Sequence, residues 1–267
     1  MTKYYYLIRI QYLGFRYHGW ATQKHHKTVQ SMVDKTVAFV LGHDDFRTMG
    51  GSRTDSKVSA NEMAFQLFTK EPLDCKSFLK DFDTNLPTDI RALGMEEVDS
   101  KFNIIQAPRL KEYLYLFSFG EKAHPFSASL VSTFPGNLDI ELMKQGAKLY
   151  QGTKNFKAYC ASPKENQQFT REILLSQIEE NTEYTASFFP KDTYAFKVQG
   201  KGFLRYQIRL MMAQLVRLGR NEITLDEMKQ SLNGENEQHI PSIAPASALI
   251  LQKTVFDSSS KKDQNQN

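Results

Sequence analysis

A chain of 267 residues with 40% hydrophobic content can bury one large core or two modest ones, and its formal net charge of +4 is compatible with a polyanionic partner without demanding one. Cys75 and Cys160 stand far apart with no C-x-x-C spacing, which argues against a zinc site or a disulfide framework. No apolar run approaches the roughly 20 residues that span a bilayer and Met1-Thr2-Lys3-Tyr4-Tyr5 has no secretory core, so the expectation is a cytoplasmic protein without a membrane partner.

Lys3 to Gln11, rich in Tyr, Leu and Ile with Arg9 and Gln11 interleaved, reads as a strand with one face more buried than the other. Val29, Val33, Thr36, Val37 and Val40 then recur at helical spacing, with Thr28 placed as N-cap and Gly42 as terminator. Met63, Phe65 and Leu67 alternate as in a half-buried strand. Phe78, Leu79 and Phe82 mark a short helix before Pro87, and Tyr113, Tyr115 and Phe117 mark another strand.

A second series follows Pro125 and Pro135. Residues 139 to 150 predict a helix, 169 to 180 and 193 to 200 predict strands, and Phe203 to Leu218 predicts a core helix; Thr224 to Glu227 has the form of a capping box. Ser258 to Asn267, with Lys261 and Lys262 among Ser, Gln and Asn, reads as a disordered tail. Strands alternate with helices without a Gly-rich phosphate loop, which argues for α+β and against a nucleotide-binding doubly wound sheet.

The stretch richest in chemistry is Gly50-Gly51-Ser52-Arg53-Thr54-Asp55, a turn that sets a carboxylate beside a cation just ahead of a strand. Read alone, such a stretch is more often a solvated loop with a surface ion pair. Arg209 sits in an apolar helix between Ile208 and Leu210-Met211-Met212, where a guanidinium requires a carboxylate and further acceptors or a path for its head to the surface. Tyr113 and Tyr115 would point to the same side of an ideal strand, where the commonest fate of such tyrosines is core packing. Lys24-His25-His26-Lys27 is a small basic loop, either a contact for a polyanionic partner or merely solvated.

Tyr12-Leu13-Gly14-Phe15-Arg16-Tyr17-His18-Gly19-Trp20 resembles the Y-x-G-x-x-[YF]-x-G-W opening of the TruA-type tRNA pseudouridine synthases, and Thr28-Val29-Gln30 resembles the T-V-Q of their first helix. Residues 53 to 60 fall on the catalytic R-T-D-A-G-V-H-A of that family. Asn85-Leu86-Pro87-Thr88-Asp89-Ile90, Lys111-Glu112-Tyr113-Leu114-Tyr115, Gly202-Phe203-Leu204 through Ile208-Arg209, and Ala244-Pro245-Ala246 are similar to its later motifs, in the same order.

The resemblance implies the pseudouridine synthase fold: two α+β halves, residues 1–105 with the catalytic loop and 106–256, ahead of a tail at 257–267. Their mainly antiparallel sheets would be joined and flanked by helices, with a basic RNA-binding cleft. It implies an isomerase that converts uridine to pseudouridine in the anticodon stem-loop of tRNA, working as a homodimer without cofactor or metal. Asp55 would be the nucleophile, Tyr113 the residue that stacks on the flipped uracil, and Arg209 the cation that pairs with Asp55, keeps it ionised and fixes its rotamer. Arg53 would enter the space left by the flipped base, and Gln23, Lys24, Lys27 and Lys57 would contact the RNA.

The chain departs from the family pattern in several places. Ser56-Lys57 replaces Ala-Gly, Ser59 stands for the histidine, Ala21 for the first glutamine after Gly-Trp, Ile105 for an RNA-facing arginine, and Glu112 for a basic residue. These changes keep a second reading open, a diverged RNA-binding relative that is inactive or modifies a different RNA. A third reading, a non-enzymatic α+β scaffold, predicts no basic cleft and no contact between the aspartate and the arginine.

Overall fold

The computed structural model describes residues 3–234 and 240–256, so the expected tail lies outside the described residues. The chain divides into two compact units, Met1–Arg109 with Leu251–Asn267, and Leu110–Ile250.

The first unit runs β1 (Tyr4–Tyr12), α1 (Val29–Leu41), β2 (Phe46–Gly50), β3 (Ser59–Thr69), α2 (Cys75–Asn85) and β4 (Ile90–Glu97). β1 pairs antiparallel with both β3 and β4, and β2 pairs antiparallel with β3. The local signals explain α1 well. Thr28 and Ser31 close a capping box at its start, and Gly42 takes φ 75 at its end, where its N–H caps the Ala38 carbonyl. Asp74 caps α2 through the N–H of Ser77.

Side chains alternate across these strands, so each face has its own core. Phe65 of β3 lies 6.1 Å from the Phe82 ring of α2 and 6.1 Å from Trp20, and α1, whose Val33 and Val37 are buried, packs against α2. The neighbouring Ala64 points the other way, into a cluster with Leu7, Val98, Phe102 and Ile104.

The second unit runs β5 (Pro108–Gly120), β6 (Ser132–Pro135), α3 (Ile140–Leu149), β7 (Gly152–Asn155), β8 (Thr170–Glu180), β9 (Tyr194–Gly200), α4 (Gln207–Gly219), α5 (Leu225–Gln230) and β10 (Leu249–Phe256), whose last residues belong to the first unit beside β3. The strand order β5-β9-β8-β7 is antiparallel throughout, and β6 adds to β5 in parallel. α3 packs on α4 and β8. Beneath them, Tyr150 is buried edge-on to Tyr159 at 5.3 Å and donates to the Met211 carbonyl at 3.0 Å. Each unit therefore has the α+β class expected from the alternation, with mainly antiparallel strands flanked by helices.

One boundary differs from expectation. α4 begins at Gln207, four residues after the predicted Phe203. Tyr206 adopts φ 61, which no helix continues through, and the Gln207 side chain accepts from the Leu204 N–H at 2.7 Å. The apolar run conceals this because Phe203 and Leu204 are core-compatible in either conformation.

Candidate functional site

In the first unit the motif residues converge on the loop that carries Asp55. Trp20 N–H donates to the Thr54 carbonyl at 3.2 Å, and the Tyr12 and Thr54 hydroxyls share a buried hydrogen bond of 2.8 Å. Lys57 N–H donates to the Tyr17 carbonyl at 2.9 Å, and Val58 N–H closes the turn on the Asp55 carbonyl at 3.1 Å. Asp55 is thus held between anchored neighbours while its own side chain stays half-buried. Such anchoring restricts the positions open to the Asp55 carboxylate.

Two glycines make the approach possible. A Cβ on Gly14 would stand 1.9 Å from the Val58 carbonyl oxygen, and one on Gly19, at φ +85, would stand 2.6 Å from that of Thr54. Only glycine lets the opening segment lie this close to the loop.

Asp89 extends the same support. It accepts from the Tyr17 hydroxyl at 2.7 Å and from the Arg16 guanidinium at 2.6 and 2.9 Å, while its carbonyl receives the Leu13 N–H at 3.0 Å. Burial alone raises the Asp89 pKa, but the hydrogen bonds from Tyr17 and Arg16 outweigh it and hold the carboxyl below the usual carboxylate range. Burial and this carboxylate together push the Tyr17 phenol up.

Two departures from the family pattern acquire a structural meaning. Ser59 is buried and its Oγ accepts the Gly14 N–H at 2.9 Å, so it ties the opening segment to the first residue of β3. Lys57 adopts φ 68, the left-handed conformation that glycine takes without strain, and its ammonium lies 5.8 Å from the ring centre of the exposed Phe15.

Arg53 is exposed beside Asp55. Gln23, Lys24 and Lys27 occupy an exposed loop held by the Gln23 amide on the His18 carbonyl at 2.8 Å and the His18 N–H on the Lys27 carbonyl at 2.9 Å. The Lys27 ammonium sits 5.0 Å from the Tyr17 ring centre, and the rings of His18 and His26 lie 4.4 Å apart.

In the second unit a parallel convergence surrounds Arg209. Its Nε donates to the Ala244 carbonyl at 2.8 Å, its own carbonyl receives the Ala244 N–H at 3.3 Å, and its guanidinium lies 4.8 Å from the Tyr206 ring centre. Arg209 is half-buried, whereas Arg205 is exposed and lies ahead of the helix. The next residue of the same motif, Pro245, accepts from the buried Tyr115 hydroxyl at 2.9 Å. Burial drives the Tyr115 pKa up, with Ser132 and Arg209 acting against it.

Tyr113 meets Phe203 edge-on, ring centres 5.3 Å apart at 86°. It is half-buried, unlike Tyr115, so the two tyrosines of this motif have different surroundings. Burial also draws the ammonium of nearby Lys111 below the ordinary lysine range. The sequence alone did not single out Ser59, Phe203, Tyr206 or the Ala244 carbonyl as supports. Their motif positions were the available signal.

Among the described residues no group of three or more His, Cys, Asp and Glu side chains is arranged to hold a metal ion, and no helix is long and apolar enough to cross a membrane.

The family model described as tRNA pseudouridine synthase matches residues 147–257. A protein of Exiguobacterium sibiricum titled tRNA pseudouridine synthase A is 29% identical over 252 residues, covering 94% of this chain and 96% of its own length. Proteins of the same title from Aster yellows witches'-broom phytoplasma and Thermodesulfovibrio yellowstonii are 27% and 25% identical, covering 96% and 93% of this chain and 100% and 98% of theirs. Over more than nine-tenths of its length the chain is thus similar to proteins titled tRNA pseudouridine synthase A, and its C-terminal part matches the tRNA pseudouridine synthase family model.

Proposed function

We propose that this protein is a tRNA pseudouridine synthase, an isomerase that converts uridine to pseudouridine, and that its target lies in the anticodon stem-loop. The reaction breaks the bond from C1′ to N1 and forms one from C1′ to C5, with a proton lost at C5 and one gained at N1. Atoms and electrons balance within the nucleotide, so a nucleophile, a proton path and a pocket for the detached uracil suffice.

Asp55 is the nucleophile in this reading. A carboxylate forms a labile covalent link without an adjacent base to activate it. The observation that supports this most is the convergence of Tyr12, Gly14, Tyr17, Gly19 and Trp20 on the short loop that bears Asp55. Tyr113 stacks on the uracil, Arg209 supplies the guanidinium that the reaction's carboxylate requires, and Arg53 replaces the everted base in its stack. Gln23, Lys24, Lys27 and Lys57 contact the RNA backbone. The protein acts as a homodimer in the cytoplasm.

A second reading, an altered RNA target on the same catalytic loop, draws support from two side chains. Ile105 is 63% exposed where the family carries an arginine, and Lys57 adds a cation where it carries glycine.

Both readings are tested by incubating the purified protein with unmodified tRNA transcripts and mapping pseudouridine by chemical derivatisation and primer extension. Product within the anticodon arm supports the first reading, and product elsewhere supports the second. Asp55→Ala is expected to yield no product while retaining RNA binding; product from that variant removes Asp55 from the mechanism.

A further inference from the structure

We propose that a cavity of about 290 Å³ in the first unit is a second RNA contact, where Arg47 and Lys3 take a backbone phosphate and the adjoining base rests on an aromatic wall. The inference rests on the tRNA-directed reading above and adds a site remote from Asp55.

Register builds the site. Arg47 of β2, Phe68 of β3 and Tyr5 of β1 are direct cross-strand partners, so their side chains form one row across three strands. Contacts agree with the register: the Arg47 guanidinium lies 5.2 Å from the Phe68 ring centre, and Tyr5 meets Phe68 edge-on at 5.5 Å. Alternation along β3 puts Phe68 on the same face as Ala64, opposite the face where Phe65 meets α2.

The chemistry favours a nucleotide. Three cations, Lys3, Arg47 and Lys70, line the cavity with one carboxylate, Asp45, which pairs with Lys70. The remaining positive charge belongs to Lys3 and Arg47. Bracing a planar guanidinium on an aromatic ring spends its rotamer entropy in advance and leaves its N–H groups for an anionic acceptor. Aromatic side chains interleaved with cations suit single nucleotides of any sequence.

Position gives the site its role. Asp55 precedes β3, whereas Phe68 and Thr69 end it, and eleven residues of strand span roughly 35 Å. An RNA of tRNA size reaches both places, and a contact so distant contributes to capture more than to the reaction.

The test is filter binding of an unmodified tRNA transcript across a salt series, together with turnover at saturating RNA. Arg47→Gln is expected to raise Kd about fivefold and to reduce the slope of log Kd against log salt by about one. Lys3→Gln should act in the same direction, Arg47→Lys should recover part of the loss, and kcat should stay unchanged. A Kd and slope insensitive to both cations, or a kcat that falls in proportion, overturns the site. A wild-type protein that binds with the Arg47-dependent slope but forms no pseudouridine overturns the isomerase reading and leaves the site standing. A wild-type protein that isomerises with a Kd blind to Arg47 removes the site alone.

Discussion

Gly19 faces the carbonyl oxygen of Thr54 so closely that a Cβ would stand 2.6 Å from it, and its φ of +85 lies where other residues are strained. Through this approach the segment between Gly14 and Trp20 fixes the backbone immediately before Asp55. Gly19→Ala must displace that backbone. Expected are a loss of about 2 kcal/mol in urea unfolding and a fall in turnover of at least about tenfold. Wild-type stability in Gly19→Ala would show that the loop absorbs the overlap elsewhere.

Lys57 holds a conformation that favours glycine, so Lys57→Gly relieves strain while removing a cation from the rim of the loop that bears Asp55. Stability and RNA binding should therefore move in opposite directions. Thermal unfolding is expected to show a gain of up to about 1 kcal/mol, reduced by the greater freedom of glycine in the unfolded chain. RNA affinity should fall a few-fold, with a shallower salt dependence. Unchanged affinity would leave Lys57 as a solvated residue held over Phe15.

Asp89 makes stability depend on acid. Its folded pKa lies below its unfolded value of about 3.9, so its contribution is complete above that value and disappears as pH falls through the folded pKa. Asp89→Asn should destabilise by about 1 kcal/mol near neutral pH, from the loss of charge-assisted hydrogen bonds to Arg16 and Tyr17. The difference from wild type should shrink below about pH 4 and vanish once Asp89 is protonated in both states. Urea midpoints for the two proteins between neutral and strongly acidic pH measure this, and a difference independent of pH would assign the effect to shape instead of charge.

The edge-on contact of Tyr113 with Phe203 survives Tyr113→Phe and is lost in Tyr113→Ala. If stacking on uracil is the main duty of this ring, Tyr113→Phe retains turnover within about tenfold and Tyr113→Ala loses far more. Single-turnover rates with bound transcript separate the cases. A hundredfold loss in Tyr113→Phe would assign the hydroxyl to proton transfer at C5.

Part of this was readable from the chain because it is decided locally. Thr28 and Gly42 bracket α1, and Thr224 with Glu227 begins α5, since a cap needs only the three or four residues beside it. The start of α4 at Gln207 differs from the sequence expectation for the converse reason. The left-handed turn at Tyr206 is held by Gln207 on Leu204 and by the Ala161 N–H on the Arg205 carbonyl, and the second of these comes from a distant segment. β2, β6 and β7 are short strands that exist by pairing with β3, β5 and β8, so they leave little periodicity of their own.

The order and spacing of motifs by themselves carry the resemblance to the tRNA pseudouridine synthases and mark the candidate residues, because side-chain chemistry and local backbone demands are written at single positions. Tertiary structure alone decided which of those positions touch. Tyr17 reaches Asp89, Gly14 reaches Ser59, and Arg209 reaches Ala244 across separations of 72, 45 and 35 residues. Strand register and helix packing bring such partners together, and neither is encoded within a local window.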